Sequence, residues 1–357
     1  MFKRVLRFIV GLIFIISGFV KAVDVKGFSF KLEEYFSPQV FNISFLEDWA
    51  LPLAMVVVVL ELVLGLLLLL NIQLKKVLWA LIALCVFFAF LTFYSAYYNV
   101  VTDCGCFGDA IKFTPWQSFW KDMVLLGFLV WLYFLYKNQP QVKVQNYRYS
   151  FLAVGVVVSL WIIFHGLKHE PIIDFRDYKI GTDLNAERKK IEASPSEYTT
   201  FYTLKHAKTS EVIKVSQDDY INKNYWKDEL WELQEDQTTS ELTKQGYASE
   251  IAKLRIEDIN GNDITDSLLQ APKTVLIFSY QPDKADAKGL LNLEKKIVSA
   301  KKITVYGVST KADTYKIVPN ALMDGTAIKT IARSNPFVLV LEKGVIVDKK
   351  SGTDVLD

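Results

Sequence analysis

The sequence predicts an α-helical polytopic membrane bundle of about five transmembrane helices, followed by a soluble α/β domain. Three observations predict it. Long apolar runs dominate as far as Phe164. From Lys168 onward charged residues recur every few positions and no run approaches the length of a span. Beyond residue 250 short apolar strands alternate with helical patterns. A content of 51% hydrophobic and 14% aromatic residues is high for a soluble chain. The excess is confined to the first half.

Val77 to Tyr98 is the surest span, 22 residues without a charge. At 1.5 Å per residue that length crosses a hydrocarbon core of ~30 Å. Leu51 to Leu70 is interrupted only by Glu61, Trp116 to Tyr136 carries Lys121 and Asp122 near one end, and Tyr149 to Leu167 has His165 near its exit. The first segment, Val5 to Val23, follows Lys3, Arg4 and Arg7. That start fits a signal peptide or a retained helix; with no small-x-small cleavage site after the run, the expectation is a retained helix.

Basic residues in the short loops set the orientation. Lys3, Arg4 and Arg7, then Lys75 and Lys76, then Lys137, Lys143 and Arg148 all fall on one side, the cytoplasmic one. The opposite side receives Asp24 to Trp49, with five acids against two lysines, and Val100 to Pro115. The expected location is a bacterial inner membrane, amino terminus cytoplasmic and carboxyl domain periplasmic, where disulfides persist. Residues 1–165 hold 13 Lys+Arg against 9 Asp+Glu and the remainder 28 against 30, a balance that excludes nucleic-acid binding in either half.

The soluble half reads as follows. Tyr198 to Lys205 and Glu211 to Ser216 predict a hairpin with His206 in its solvated turn, and Trp226 and Trp231 carry no nameable chemistry. Lys253 to Glu257 reads as a strand, Asn260 to Asp263 as a tight turn, and Thr274 to Tyr280 as a buried strand. Lys284 to Ala300 reads as an amphipathic helix, Ile303 to Ser309 as a strand and Ala327 to Arg333 as helical. Phe337 to Leu341 and Val345 to Lys349 close the chain as a hairpin. The order β-α-β-α-β-β resembles a thioredoxin-like domain over residues 250–357, with Pro336 where that fold carries its cis-proline. Where the family places Cys-x-x-Cys, this chain has Gln281-Pro282-Asp283-Lys284. No cysteine follows Cys106, so the domain would bind rather than exchange disulfides.

Chemistry therefore rests on Cys104-Gly105-Cys106, three residues in one loop. Cysteines two apart close a disulfide only through a tight ring, which the glycine eases, and strained disulfides are readily reduced. Thiol exchange is the leading reading; a structural turn and half of a metal site are the alternatives, and zinc would want four ligands. Lys21, Lys112 or Lys121 could lower a thiolate pKa or simply anchor helix ends at the interface. Glu61, mid-helix, points to proton handling or to a hydrogen-bonded structural carboxylate. Cys85, among Leu84, Val86 and Phe87, reads as a packing residue.

Ser17-Gly18-Phe19-Val20-Lys21 with Asp24, Glu61-Leu62-Val63-Leu64-Gly65 and Cys104-Gly105-Cys106-Phe107-Gly108 together resemble the DoxX/MauE membrane family, over about residues 1–140. That resemblance implies a four-helix bundle, similar in outline to quinone-linked disulfide-forming proteins, that assists periplasmic redox maturation. A fifth helix at 141–168, a β-rich linker at 169–249 and the thioredoxin-like domain at 250–357 depart from a minimal MauE. The expected function is thiol/disulfide assistance to partner proteins through Cys104 and Cys106, possible for an oxidoreductase, with Glu61, Lys21, Asp24 and Pro336 in support. No metal is expected and no cofactor is evident, although the resemblance admits a quinone. The expected partners are the lipid bilayer and a periplasmic client or thiol-redox protein. A non-enzymatic membrane scaffold and a small-molecule carrier are the competing classes, the carrier weakened by the lack of an inverted repeat.

Overall fold

A computed structural model describes residues 1–101, 108–139, 145–244, 246–299 and 303–356. Two compact units emerge, Met1–Gly181 with Arg255–Asp357, and Thr182–Leu254. Five helices are long and apolar enough to cross a membrane: α1 (Phe2–Val23), α3 (Ala50–Leu69), α4 (Leu74–Tyr98), α5 (Pro115–Tyr136) and α6 (Asn146–Lys168), with α2 (Val25–Phe36) between the first two. Each span begins and ends within three residues of its sequence-predicted limits. This is a multi-pass membrane protein.

The helix α2 is a correction, because the sequence reads Asp24 to Trp49 as a connecting loop. Its apolar positions Val25, Phe28, Leu32 and Tyr35 recur at helical spacing and are buried, packing on α3 and α6. Asp24 makes the break between α1 and α2. Its backbone leaves helical geometry at φ −126° and ψ 64°, and its carboxylate accepts the Gly27 N–H at 2.8 Å, capping α2. At the start of α5, Thr114 and Gln117 form a reciprocal capping box, with Pro115 in the first turn.

Within the bundle α1 packs against α3 through small residues, as membrane helices do where apolar burial supplies no drive. A Cβ on Gly65 would lie 2.9 Å from Ile15, and one on Gly18 would lie 2.8 Å from Leu62. Val10, Phe14, Leu81, Cys85 and Leu129 join α1, α4 and α5 in one apolar cluster; Ala54, Val58, Leu62 and Ile163 join α3 and α6 in another. Tyr97, Tyr98, Trp116 and Trp120 stand exposed where α4 ends and α5 begins, an aromatic girdle at one interface.

The unit Thr182–Leu254 holds α7 (Leu184–Ala193), β1 (Glu197–His206), β2 (Val212–Ser216), α8 (Gln217–Asn222) and β3 (Trp231–Lys244). The sheet order is β2-β1-β3, all antiparallel. The hairpin β1-β2 is as the sequence reads it; β3 is an addition. His206 is more than a solvated turn residue, since its Nδ1 accepts the N–H groups of Lys208 and Thr209 and so closes the turn.

The carboxyl-terminal α/β portion of the first unit contains β4 (Glu257–Asp258), α9 (Thr265–Gln270), β5 (Thr274–Ser279), α10 (Ala287–Val298), β6 (Thr304–Ser309), β7 (Asn320–Leu322), α11 (Gly325–Ile331), β8 (Phe337–Glu342), β9 (Val345–Ser351) and α12 (Gly352–Leu356). Its six strands run in the order β4-β7-β6-β5-β8-β9, with β5, β6 and β7 parallel. Every residue of β5 is buried, as befits a central strand covered on both faces. Leu290, Leu293 and Ile297 of α10 cover Val275 and Ile277 on one side. The strand expected at Lys253 to Glu257 is a correction: Glu250–Lys253 is a 3-10 turn capped by Ser249, and pairing starts only at Glu257. The bond Asn335-Pro336 is cis.

Candidate functional site

Cys104 and Cys106 lie outside the described residues. On the amino-terminal side of their loop Val101 is fully buried beside Tyr35 and Leu91, and on the other Gly108–Ala110 forms a 3-10 turn. Gly108 sits at φ +51° over Val20 of α1, a backbone conformation suited to glycine. Asp109 in that turn reaches the carboxyl-terminal domain.

The meeting point is Arg333, between α11 and the cis-proline. Its Nε donates to both oxygens of Asp24 at 2.7 and 2.9 Å, its Nη2 donates to Asp109 Oδ2 at 2.7 Å, and its Nη1 donates to the Lys329 carbonyl. Only 5% of the Arg333 side chain is exposed, against 12% for Asp24 and 25% for Asp109. The planar fork suits two carboxylates at once, which a lysine would not. Burial pushes the Asp24 carboxyl upward, but Arg333 and, farther off, Arg176 outweigh it and hold the group below the usual carboxylate range. Gly27 is required here: a Cβ would fall 2.5 Å from Asp24 Oδ2 and 3.0 Å from Arg333 Nη2.

Further contacts extend the same face. Lys329 pairs with Glu33 at 2.6 Å, Lys284 pairs with Asp48 at 2.8 Å, and Tyr280 meets Phe30 edge-on with ring centres 5.2 Å apart. Lys329 and Arg333 both lie over the Phe30 ring, at 5.0 and 5.7 Å. Burial raises the Tyr280 hydroxyl to about 12, so it stays neutral. Asn335 ties the two loops of the domain together, its Oδ1 accepting from Ser279 and its Nδ2 donating to the Gln281 carbonyl. Thus Gln281, Asn335 and Pro336 form one end of the sheet, and that end faces the acidic loops of the bundle.

A second set of charges fixes the chain where it leaves α6. Arg176, 3% exposed at its side chain, donates to Glu170 at 2.5 Å, to Asp174 at 2.7 Å and to the Ile331 carbonyl of α11 at 2.9 Å. Lys349 of β9 pairs with Asp174 at 2.5 Å. Burial would raise the Asp174 carboxyl, but Arg176 and Lys349 bring it down to about 2. Burial and the neighbouring Arg176 bring Lys349 down to about 8 despite Asp174.

One turn below Asp24 on α1, Lys21 donates to Glu61 Oε2 of α3 at 2.7 Å and to Ser17 Oγ at 3.0 Å, and its ammonium lies 4.7 Å from the Phe88 ring centre. Both partners are almost wholly buried. Lys21 is therefore not an interfacial anchor; its charge faces inward because Glu61 and an aromatic face receive it there. Lys112 pairs with Asp177 and Lys121 with Asp122, at 2.9 and 2.8 Å. Cys85 is buried on α4, its thiol directed to the Asp122 carbonyl at 3.2 Å. The site thus unites Asp24 with the Pro336 loop and Lys21 with Glu61. Sequence reasoning overlooks Asp109, Arg176 and Arg333; the nearest signal was the excess of acids between Asp24 and Trp49.

A cavity of about 20 Å³ beside Lys21 and Glu61 has room for about one water molecule. A quinone ring does not fit there. Comparison with known proteins agrees with the bundle geometry. Residues 1–135 match the family model described as "Methylamine utilisation protein MauE". "Protein TlpB" of Flavobacterium psychrophilum is 28% identical over 163 residues, 44% of this chain and 43% of that protein, so the match spans less than half of the curated relative. No solved structure matches. Over residues 1–135 the amino-terminal bundle is similar to that family.

Proposed function

We propose that this protein assists thiol/disulfide maturation of partner proteins at the periplasmic face of a bacterial inner membrane, through Cys104 and Cys106. In the exchange a client dithiol becomes a disulfide as the Cys104–Cys106 disulfide becomes two thiols, or the reverse. Two electrons and two protons pass between the pairs, so no further oxidant enters the step. The carboxyl-terminal domain, on its resemblance to a thioredoxin-like domain, has Gln281-Pro282-Asp283-Lys284 in place of the thiol motif and takes no covalent part. It acts as a docked binding domain, on the bundle that carries the cysteine loop.

The observation that carries this reading is the Arg333 clamp. A residue three before the cis-proline holds Asp109, which lies three residues after Cys106, and Asp24 at the junction of α1 and α2. In a thiol-bearing relative of that fold, this end of the sheet would face a partner's thiols. Here it is turned toward Asp109, which follows the cysteine loop in the sequence. A tether without redox function gives no reason for the charge match to fall at that point.

The test compares wild type with Cys104→Ser/Cys106→Ser. Thermal midpoints in detergent should agree, because a ring this small constrains the unfolded chain very little. Thiol mass-tagging of periplasmic proteins should show altered disulfide states in the variant. A large loss of stability with unchanged clients refutes the redox reading and leaves a scaffold.

A further inference from the structure

The Lys21–Glu61 pair is not an isolated buried ion pair. Asp122 of α5 lines the same small cavity as Lys21, Glu61, Ser17, Cys85 and Lys121. Its Oδ1 accepts from Lys121 at 2.8 Å, whereas its Oδ2, fully buried, has no hydrogen-bond partner among the described residues. Asp122 is only 3% exposed, and one turn earlier the buried Ser118 hydroxyl also lacks a partner among the described residues. The charged and titratable groups facing the cavity are Lys21 from α1, Glu61 from α3, Cys85 from α4, and Lys121 and Asp122 from α5.

A purely structural ion pair would be closed, with each lone pair matched and no space left over. This one borders an opening the size of one water, lined by Asp122, whose buried Oδ2 has no hydrogen-bond partner among the described residues. A proton on that oxygen, or a water donating to it, would satisfy it. Lys121, 26% exposed at its side chain, stands between Asp122 and the helix start, where an interfacial lysine can reach the aqueous side.

We propose that Asp122 is a proton-exchange group inside the bundle: it carries one proton and, through a single water in the cavity, shares it with the Lys21–Glu61 pair. The transfer is balanced within the site. The Asp122 O–H bond breaks as the water gains that proton and passes one of its own to Glu61 Oε1 or Oε2, and no electron moves. The pocket takes a proton and a water, not an organic ligand. This reading rests on the helix packing alone and is independent of the thiol function.

The experiment is infrared difference spectroscopy of the full chain in lipid nanodiscs, recorded between acidic and neutral pH and repeated in D2O. Wild type should show a carboxylic-acid carbonyl band that titrates and shifts in D2O. Asp122→Asn should lose that band, Glu61→Gln should displace it, and Cys104→Ser/Cys106→Ser should keep it unchanged, which separates this proposal from the thiol reading. Size-exclusion elution checks the fold; if Asp122→Asn does not fold, Asp122→Glu, which retains an acid, must move the band. No titrating band in wild type, or the same band in every Asp122 variant, would overturn the proposal.

Discussion

Replacing Arg333 by methionine keeps the stem and removes the charge that joins the domain to the bundle. The cost follows from burial. Asp24, 12% exposed, loses its close cation; removing one partner of a buried pair costs about 3–5 kcal/mol. Asp109 is 25% exposed and regains water, so its share falls within the surface range of about 0–1 kcal/mol. The sum weakens docking by roughly two to four powers of ten, at about 1.4 kcal/mol per decade.

Hydrogen exchange of the full chain in nanodiscs reads this directly, since local opening is reported residue by residue. Amides of α2 and α11 should lose protection in Arg333→Met, while those of β5 and α10 stay protected because the domain core is untouched. Arg333→Lys should fall between, keeping the charge but losing the fork. Combined with Asp109→Asn, the double-mutant cycle should give a coupling of about 0.5–3 kcal/mol. Unchanged exchange in α2 and α11, with the variant folded, would show that Arg333 does not hold the domain.

Two more outcomes follow from the same contacts. Gly27→Ala places a methyl between Asp24 and Arg333, so α2 and α11 should lose protection although alanine favours the helix; a gain in stability at this exposed-looking glycine would contradict the clamp. The Asp174 carboxyl sits at about 2 against an ordinary 3.8, a depressed value, so its stabilisation is complete above pH 3.8 and is lost as pH falls through 2. At about 1.4 kcal/mol per unit the loss is about 2–3 kcal/mol, and Asp174→Asn should flatten that acid limb of the thermal midpoint. Lys349, held near 8 below an ordinary 10.5, gives the opposite limb: stability rises from pH 8 toward 10.5, and Lys349→Met abolishes the rise.

The spans were legible because hydropathy is local: twenty apolar residues in a row need no knowledge of their neighbours. The amphipathic spacing of Val25, Phe28, Leu32 and Tyr35 was also legible, but its acids suited an interspan loop equally well. Strand β3 was not readable. Its Thr238-Thr239-Ser240 stretch has no apolar alternation, and it is a strand because the Thr-rich β1 offers a ladder to pair with. Strand β7, three residues long, owes its existence to β6 and β4 on either side. Such elements come from tertiary pairing, which a local pattern cannot show.

The site is a harder case, and charge explains why. Asp24, Asp109 and Arg333 come from three stretches, and the Arg333–Asp109 contact spans 224 positions. The acid excess between Asp24 and Trp49 was visible, but its countercharges Lys284, Lys329 and Arg333 are scattered through a domain whose own balance is near neutral. Counting those pairs would also mislead. Lys284–Asp48, with side chains 61% and 76% exposed, is screened by water and contributes little, and Lys329–Glu33 is intermediate at 27% and 22%. Of these three cations, Arg333 is the one desolvated against two carboxylates, so the energy of this contact concentrates in a residue that no composition or periodicity singles out. Three positions on from it is Pro336, which the sequence did single out, and the charge beside that proline holds its loop to the membrane bundle.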